Sequence, residues 1–158
     1  MTTAQTKQQK LLTKIEFYVL SWTWGIIMSL VGAVVVGAIL LYGVCTKKNY
    51  KLQRCGWCYY IAIGQSNWGG LELGMFFLVQ SRESIPTMWH EHGHAIQNCF
   101  WGVLFPFVIA IPSAIRYWYR ELRYYKKGLV PTTRYDSVWF EGEATTLGKI
   151  YKNQIESD

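Results

Sequence analysis

The sequence predicts a mainly α-helical membrane protein. It should have one N-terminal transmembrane helix followed by a small α+β part with a short edge strand and a kinked apolar segment. Three observations carry this. No charged residue occurs from Phe17 to Cys45, a run longer than the ~20 apolar residues a helix needs to cross a bilayer. Aromatic residues, 8 Trp and 11 Tyr among them, gather where charges return beyond the apolar stretches, the headgroup level at which amphipathic rings settle. At 158 residues there is room for one compact domain beside the membrane segment and little else.

The elements follow in order. Residues 1–14 are polar and carry lysines without a packing pattern, and are expected to form a mobile tail. Residues 15–45 are expected as one retained transmembrane helix: the apolar run is too long for the core of a signal peptide, and no small-x-small cleavage site precedes a polar start. Within it Gly25, Ser29, Ala33 and Gly37 recur every fourth residue, a smooth stripe that lets another helix or surface approach closely. Its partner is either a second copy, giving a homo-oligomer, or the rest of this chain. Lys7, Lys10 and Lys14 precede the helix, and Lys47, Lys48, Lys51 and Arg54 follow it. The positive-inside bias thus leans toward a cytoplasmic C-terminal part by a single charge.

The formal charge of +6 sits mainly on Lys and Arg flanking apolar stretches, which suits anionic membrane lipid. No recognition motif accompanies it, so nucleic acid is not the expected partner. Of the four cysteines, Cys55 and Cys58 stand in Cys-Gly-Trp-Cys. That spacing serves redox or zinc chemistry, but no second pair completes four ligands, and unligated thiols near the membrane surface are expected.

Residues 46–158 form the remaining domain. Gly64, Gly69, Gly70 and Gly74 break up Tyr59–Gln80 too often for a helix, so that stretch should be extended. Leu71-Glu72-Leu73 alternates, and Met75–Val79 has the apolar character of a buried strand. Ser81–Ser84 is a polar break, Ser84 a plausible N-cap, and Pro86 suits a first helical turn. A helix is expected from Ile85 to Phe100, ending near Gly102. Val103–Ile115 is apolar but interrupted by Pro106 and Pro112, so it should dip into a membrane or be buried rather than cross it. Arg116–Lys127 mixes Tyr, Trp, Arg and Lys, and the whole of 103–127 reads as membrane-interfacial. After a turn at Gly128 and Pro131, a last helix should cover Val138–Asn153, with 155–158 frayed.

All three histidines fall in His90-Glu91-His92-Gly93-His94. Positions four apart share a helix face, so His90 and His94 can offer two imidazole nitrogens to one metal ion. Glu91 lies about 100° around from His90, near enough to act on a water at that metal without ligating it. His92 projects to the far side and is expected to pack. Gln97 returns to the metal-facing side, where it can orient a ligand or substrate. A third ligand must be a carboxylate or a thiol. Asp136, Glu141 and Glu143 lie at the start of the last helix, and Glu72 lies near the strand before the His-bearing helix, where it could line a cleft.

His90-Glu91-x-x-His94 followed by Glu141-x-x-Ala144 resembles the gluzincin class of zinc metallopeptidases, and Leu71-Glu72-Leu73-Gly74 resembles the edge strand of minimal gluzincin domains. The likeness spans Gly69 to Leu147. It implies zinc held by His90, His94 and Glu141, with Glu143 as a competing ligand and Glu91 as general base. It also implies a small residue at Ala144 where two helices pack. The commonest pattern has an aspartate after that alanine; here Thr145 stands. On this reading the chain is a membrane-anchored zinc-dependent peptidase. An extended peptide or protein substrate would pair along Leu71 to Val79, with Tyr135 or Arg134 as candidate oxyanion donors. The alternatives are a non-catalytic membrane protein (assembly factor, toxin or holin-like) and a zinc hydrolase acting on a non-peptide amide or ester.

Overall fold

The structure, a computed structural model, describes residues 12–64, 68–80 and 85–157. Helices α1 (Lys14–Trp22) and α2 (Ile26–Thr46) lead into four short strands, β1 (Gln53–Cys55), β2 (Cys58–Ala62), β3 (Gly70–Leu73) and β4 (Phe76–Val79). Helix α3 (Ile85–Trp101) follows. A 3₁₀ turn (Gly102–Leu104) and a π turn (Pro106–Ala110) then run into α4 (Ile111–Arg123), and α5 (Trp139–Ser157) closes the chain.

The uncharged run from Phe17 to Cys45, expected as one helix, is two. Gly25 N–H returns to the Leu20 carbonyl at 2.8 Å, and Asn98 Nδ2 donates to the Gly25 carbonyl at 3.2 Å. Next to it, Trp24 Nε1 donates to the Phe100 carbonyl at 3.2 Å. The break is therefore pinned to the end of α3 by tertiary hydrogen bonds that no local pattern encodes. α1 belongs to the folded body, with Phe17 and Ser21 fully buried. The candidate span shrinks to α2, 21 residues, the one helix among the described residues that is itself long and apolar enough to cross a membrane. The expected tail ends earlier as well. Leu12 N–H donates to the Tyr151 hydroxyl at 2.8 Å, and Thr13 and Glu16 form a capping box on α1. Residues 1–11 of that tail lie outside the described residues.

The sheet runs β1-β2-β4-β3, with β2 and β4 parallel and the other neighbours antiparallel. Both faces are covered. Cys58, Tyr60, Phe77 and Val79 pack with Phe17, Ile96 and Tyr151 on one side. Ile61, Leu73 and Leu78 pack with Met28 and Val36 of α2 on the other. Burial on both faces is why Met75–Val79 is apolar throughout rather than alternating. The small-residue stripe of α2 meets this sheet in part. At Gly32 a Cβ would run into the Leu73 carbonyl, and Ser29 lies against Gly74, whereas Gly37 has nothing within 4 Å.

Cys55-Gly56-Trp57-Cys58 is the turn of the β1–β2 hairpin, an element not foreseen. Gly56 has φ +57°, a conformation that favours glycine at a two-residue turn. Both thiols are free and buried, and burial pushes the Cys55 thiol up to about 11, which disfavours the reactive thiolate. They lie in the core under α3.

α3 ends at Gly102, φ +54°, as expected; the proposed Ser84 cap and the 81–84 break lie outside the described residues. The chain turns by 116° between Ile85–Leu104 and Pro106–Lys127. This single corner precedes Pro106. Pro112 sits in the first turn of α4, where its missing N–H leaves the helix unbroken. α5 continues to Ser157 instead of fraying from 155, because Tyr151 is fully buried and Ile155 packs on the same cluster.

Helices α3 and α5 cross at backbone contact. A Cβ on Gly93 would meet the Ala144 carbonyl, and one on Gly148 would meet the Trp89 carbonyl. In an unencumbered helix, Gly→Ala gains up to about 1 kcal/mol. Here Gly148→Ala is expected to destabilise by about 1–3 kcal/mol through overpacking, measured by denaturant unfolding in detergent. A stabilised variant would show that the two backbones do not touch.

Candidate metal centre

The α3–α5 crossing brings three ligand atoms together. His90 Nε2 lies 3.1 Å from Glu141 Oε2, and His94 Nε2 lies 3.2 Å from the same oxygen. All three atoms fall within 4.8 Å of one another. Bonds of ~2.0–2.1 Å from a tetrahedral zinc ion to nitrogen and oxygen ligands imply ligand atoms ~3.3 Å apart, and both nitrogen–oxygen distances match that spacing.

Hydrogen bonds behind the ligands assign their protons. Thr145 Oγ1 donates to the Glu141 carbonyl at 3.1 Å, so at its 2.9 Å contact with His90 Nδ1 it accepts. His90 therefore carries its proton on Nδ1. Gln97 Nε2 donates to the Phe140 carbonyl at 2.9 Å and to Glu143 Oε2 at 2.7 Å. Its oxygen thus faces His94 Nδ1, at 2.7 Å, and accepts that proton as well. Both imidazoles then turn a bare Nε2 lone pair toward a carboxylate. Three electron-pair donors facing one point repel one another unless a proton or a cation lies between them.

Glu143, the competing ligand, is directed away and holds Gln97 instead. Glu141 is fully buried, and its Oε1 accepts from Ser113 Oγ of α4 at 2.5 Å. Burial alone would raise the Glu141 carboxyl; before a cation is bound, protons shared with His90 and His94, together with the Ser113 hydroxyl, outweigh it and hold the group well below the usual carboxylate range. His92 points to the opposite side of α3. Its Nε2 accepts the Trp57 N–H at 3.3 Å, and burial lowers it to about 3, so it packs as a neutral ring.

Glu91 is buried next to the triad, close enough to His90 and Glu141 for their charges to act on it. Burial pushes its carboxyl up to about 7, against the pull of His90 and of a hydrogen bond from the Glu72 N–H. That bond places Glu91 on the open edge of β3, where a Cβ on Gly70 would meet the Glu91 carboxylate. Because Gln80 N–H bonds the Gly69 carbonyl, the antiparallel ladder directs residues 69, 71 and 73 toward β4 and residues 70 and 72 outward. The edge open to a partner strand is therefore short, and Glu91 already takes the Glu72 N–H. Leu71 is 48% exposed on this strand, but Leu73 is buried under α2, so only the first can offer its side chain to a ligand. Glu72 does not line a cleft: it is turned inward and accepts the Gly74 N–H at 2.5 Å.

Tyr135 reaches the centre from the loop before α5. Its phenol is raised by burial and by the charge of Glu141, and it touches Ser113 and Glu141. Arg116 donates to the carbonyls of Arg134 and Tyr135 at 2.9–3.1 Å, and Arg120 donates to that of Thr133 at 2.9 Å. Both guanidinium groups also lie within 6 Å of the Tyr135 ring, so α4 fixes the loop. Arg134, the other candidate donor, is on the surface in a bidentate pair with Asp136.

Comparison with known proteins finds no matching family, curated protein or solved structure. The geometry stands alone. Thr145, Ser113, Arg116 and Arg120 are the site residues that the sequence did not single out. Thr145 carried a signal, since it stands where the gluzincin pattern departs and it lies one turn beyond Glu141.

Partners behind metal-binding histidines typically contribute 10–100-fold to metal affinity. Thr145→Val and Gln97→Leu, which remove the Nδ1–H acceptors, are each expected to weaken zinc binding by about 10–100-fold in competition with a chromophoric chelator. Thr145→Ser should bind zinc like the parent. Parent-like affinity in both apolar variants would refute the proton assignment.

Proposed function

We propose that this chain is a membrane-anchored zinc-dependent hydrolase, with peptide bonds as its substrate. The observation that supports this most is the convergence of two bare imidazole lone pairs and one ionised carboxylate, with an unligated carboxyl, Glu91, beside them. Two imidazole nitrogens and one carboxylate oxygen suit zinc. Three protein ligands rather than four leave a coordination position open, which distinguishes catalytic from structural sites and favours an enzyme over a non-catalytic membrane protein. A bound zinc ion supplies Lewis acidity, acidifying water and polarising a carbonyl.

The chain's own residues divide the remaining work. His90, His94 and Glu141 hold the ion. Glu91 accepts the proton of the attacking water and returns it to the leaving amine; its burial keeps its proton affinity near neutrality, where a general base is most effective. The Tyr135 phenol, which does not ionise at neutral pH, donates to the oxygen that gains charge. Gly70 and the Glu72 carbonyl on the β3 edge align an extended backbone beside Glu91, which is the reason for preferring a peptide over other amides or esters. α2 anchors the body in the membrane; because α1 before it and the strands and helices after it share one folded core, the excess of lysine and arginine after it assigns the body to neither side.

Detergent-purified protein is expected to contain one zinc ion per chain by mass spectrometry of metals, and His94→Ala none. A metal-free parent protein would exclude the proposal. Glu91→Gln should keep its zinc but lose hydrolysis of a quenched-fluorescent peptide library by at least about 10²-fold, the usual scale for a general base. Parent-like cleavage by this variant would remove Glu91 from the mechanism. In the parent, kcat/KM should fall about tenfold per pH unit on an acid limb at or below about 7, where Glu91 becomes protonated. The adjacent cation shifts that limb downward, never upward.

A further inference from the structure

We propose that the outward face of the Gly102–Arg123 segment rests in the same lipid bilayer as α2, so that two surfaces rather than one span hold this protein. The inference rests on α2 being a membrane helix. Beyond the corner, Phe107, Ile111, Ile115, Trp118 and Leu122 follow one another at intervals of three or four, the spacing of a single helix face. All five are between 49% and 67% exposed.

Within α4 the opposite face is turned inward, and it is the polar one. Ser113 bonds Glu141, Arg120 is buried, and Arg116 and Arg120 are committed to the carbonyls of residues 133–135. A helix on a water-facing surface has the reverse arrangement, with apolar side chains inside and guanidinium groups outside. An uncovered apolar stripe of this length marks an interaction surface.

Lipid is the occupant because of what lies alongside. Phe105 and Ile109, on the inward face, share one buried cluster with Met28 and Val36 of α2. The segment is therefore packed beside α2, whose outward residues Leu30, Val34 and Leu41 are exposed as well. Both elements pack on one cluster and both leave their remaining apolar side chains uncovered. At the far end Tyr125, Lys126 and Lys127 bring the aromatic and cationic groups that favour the headgroup level. Ser113 lies across the helix from Ile111 and Ile115. That places the candidate metal centre behind α4, about one helix diameter (~10 Å) from hydrocarbon.

The test places a nitroxide on single cysteines, Ile111→Cys, Ile115→Cys, Val34→Cys and Asn153→Cys, in a Cys45→Ser background. Each protein is reconstituted in vesicles of phosphatidylcholine with phosphatidylglycerol, and collisions with oxygen and with a water-soluble nickel chelate are measured. At 34, 111 and 115 the oxygen-to-nickel ratio should be several-fold higher than at 153 on α5. A high ratio at 34 with water-like ratios at 111 and 115 overturns the inference and leaves the α2 anchor intact. A water-like ratio at 34 removes the anchor and the inference together. Low collision rates with both reagents at 111 and 115 would mean that a second copy covers the face, which also overturns lipid contact. The unsubstituted chain gives an independent reading: lipids with a photoreactive group in the acyl chain should label peptides from 104–122 as well as from α2. Labelling of α2 alone counts against the proposal.

Discussion

The centre exists because two helices touch without side chains between them. Gly93 on α3 faces the Ala144 carbonyl, and Gly148 on α5 faces the Trp89 carbonyl. These contacts set the helices close enough for a glutamate, with only two carbons beyond its Cα before the carboxyl, to reach both imidazoles on the facing turn. Methyl groups at these positions would move α5 outward, and Glu141 would no longer reach both His90 and His94. Everything behind the ligands depends on the same spacing. Thr145 is one turn after Glu141 on α5, and Gln97 spans from His94 to the Phe140 carbonyl, so both proton assignments follow from one crossing.

That crossing was partly legible. His90 and His94 share a helix face by period alone, and Gly102 and Pro86 bound their helix by backbone chemistry that acts locally. The role of Ala144 as a small packing residue was implied by the resemblance, and the structure places it fully buried at the contact. The preference for Glu141 over Glu143 came from the resemblance and not from the helix period, since residues two positions apart on a helix differ by about 200° and the register is fixed only by what α5 packs against. Ser113, Arg116 and Arg120 were beyond local reasoning for a further reason. Their segment reads as amphipathic, but period says nothing about which face turns inward, and here the polar face does.

The N-terminal run shows the same limit from the other side. Composition alone makes Phe17–Cys45 one continuous apolar helix, and intrinsic preference has no reason to stop it at Thr23–Gly25. The stop comes from Asn98 and the Phe100 carbonyl, residues far along the chain that offer the Gly25 carbonyl and the Trp24 indole N–H partners outside the helix. A helix end without such partners would leave backbone groups unsatisfied; with them, the break costs little and places Phe17 in the core. The length of an apolar run is thus an upper bound on a span and not a measure of it.

The two carboxylates at the centre divide by environment in a way that bears on their separate roles. Both are buried, which disfavours the charged form of each. Glu141 faces two imidazoles and a hydroxyl and stays ionised. Glu91 has the Glu72 N–H and the more distant charge of His90, with Glu141 working against it, and so keeps a proton affinity near neutrality. A carboxylate that is always charged suits holding a cation; one poised between its two states suits moving a proton. Exchanging their positions would exchange these properties, so the asymmetry of the surroundings, and not the residue type, distinguishes the two carboxyls.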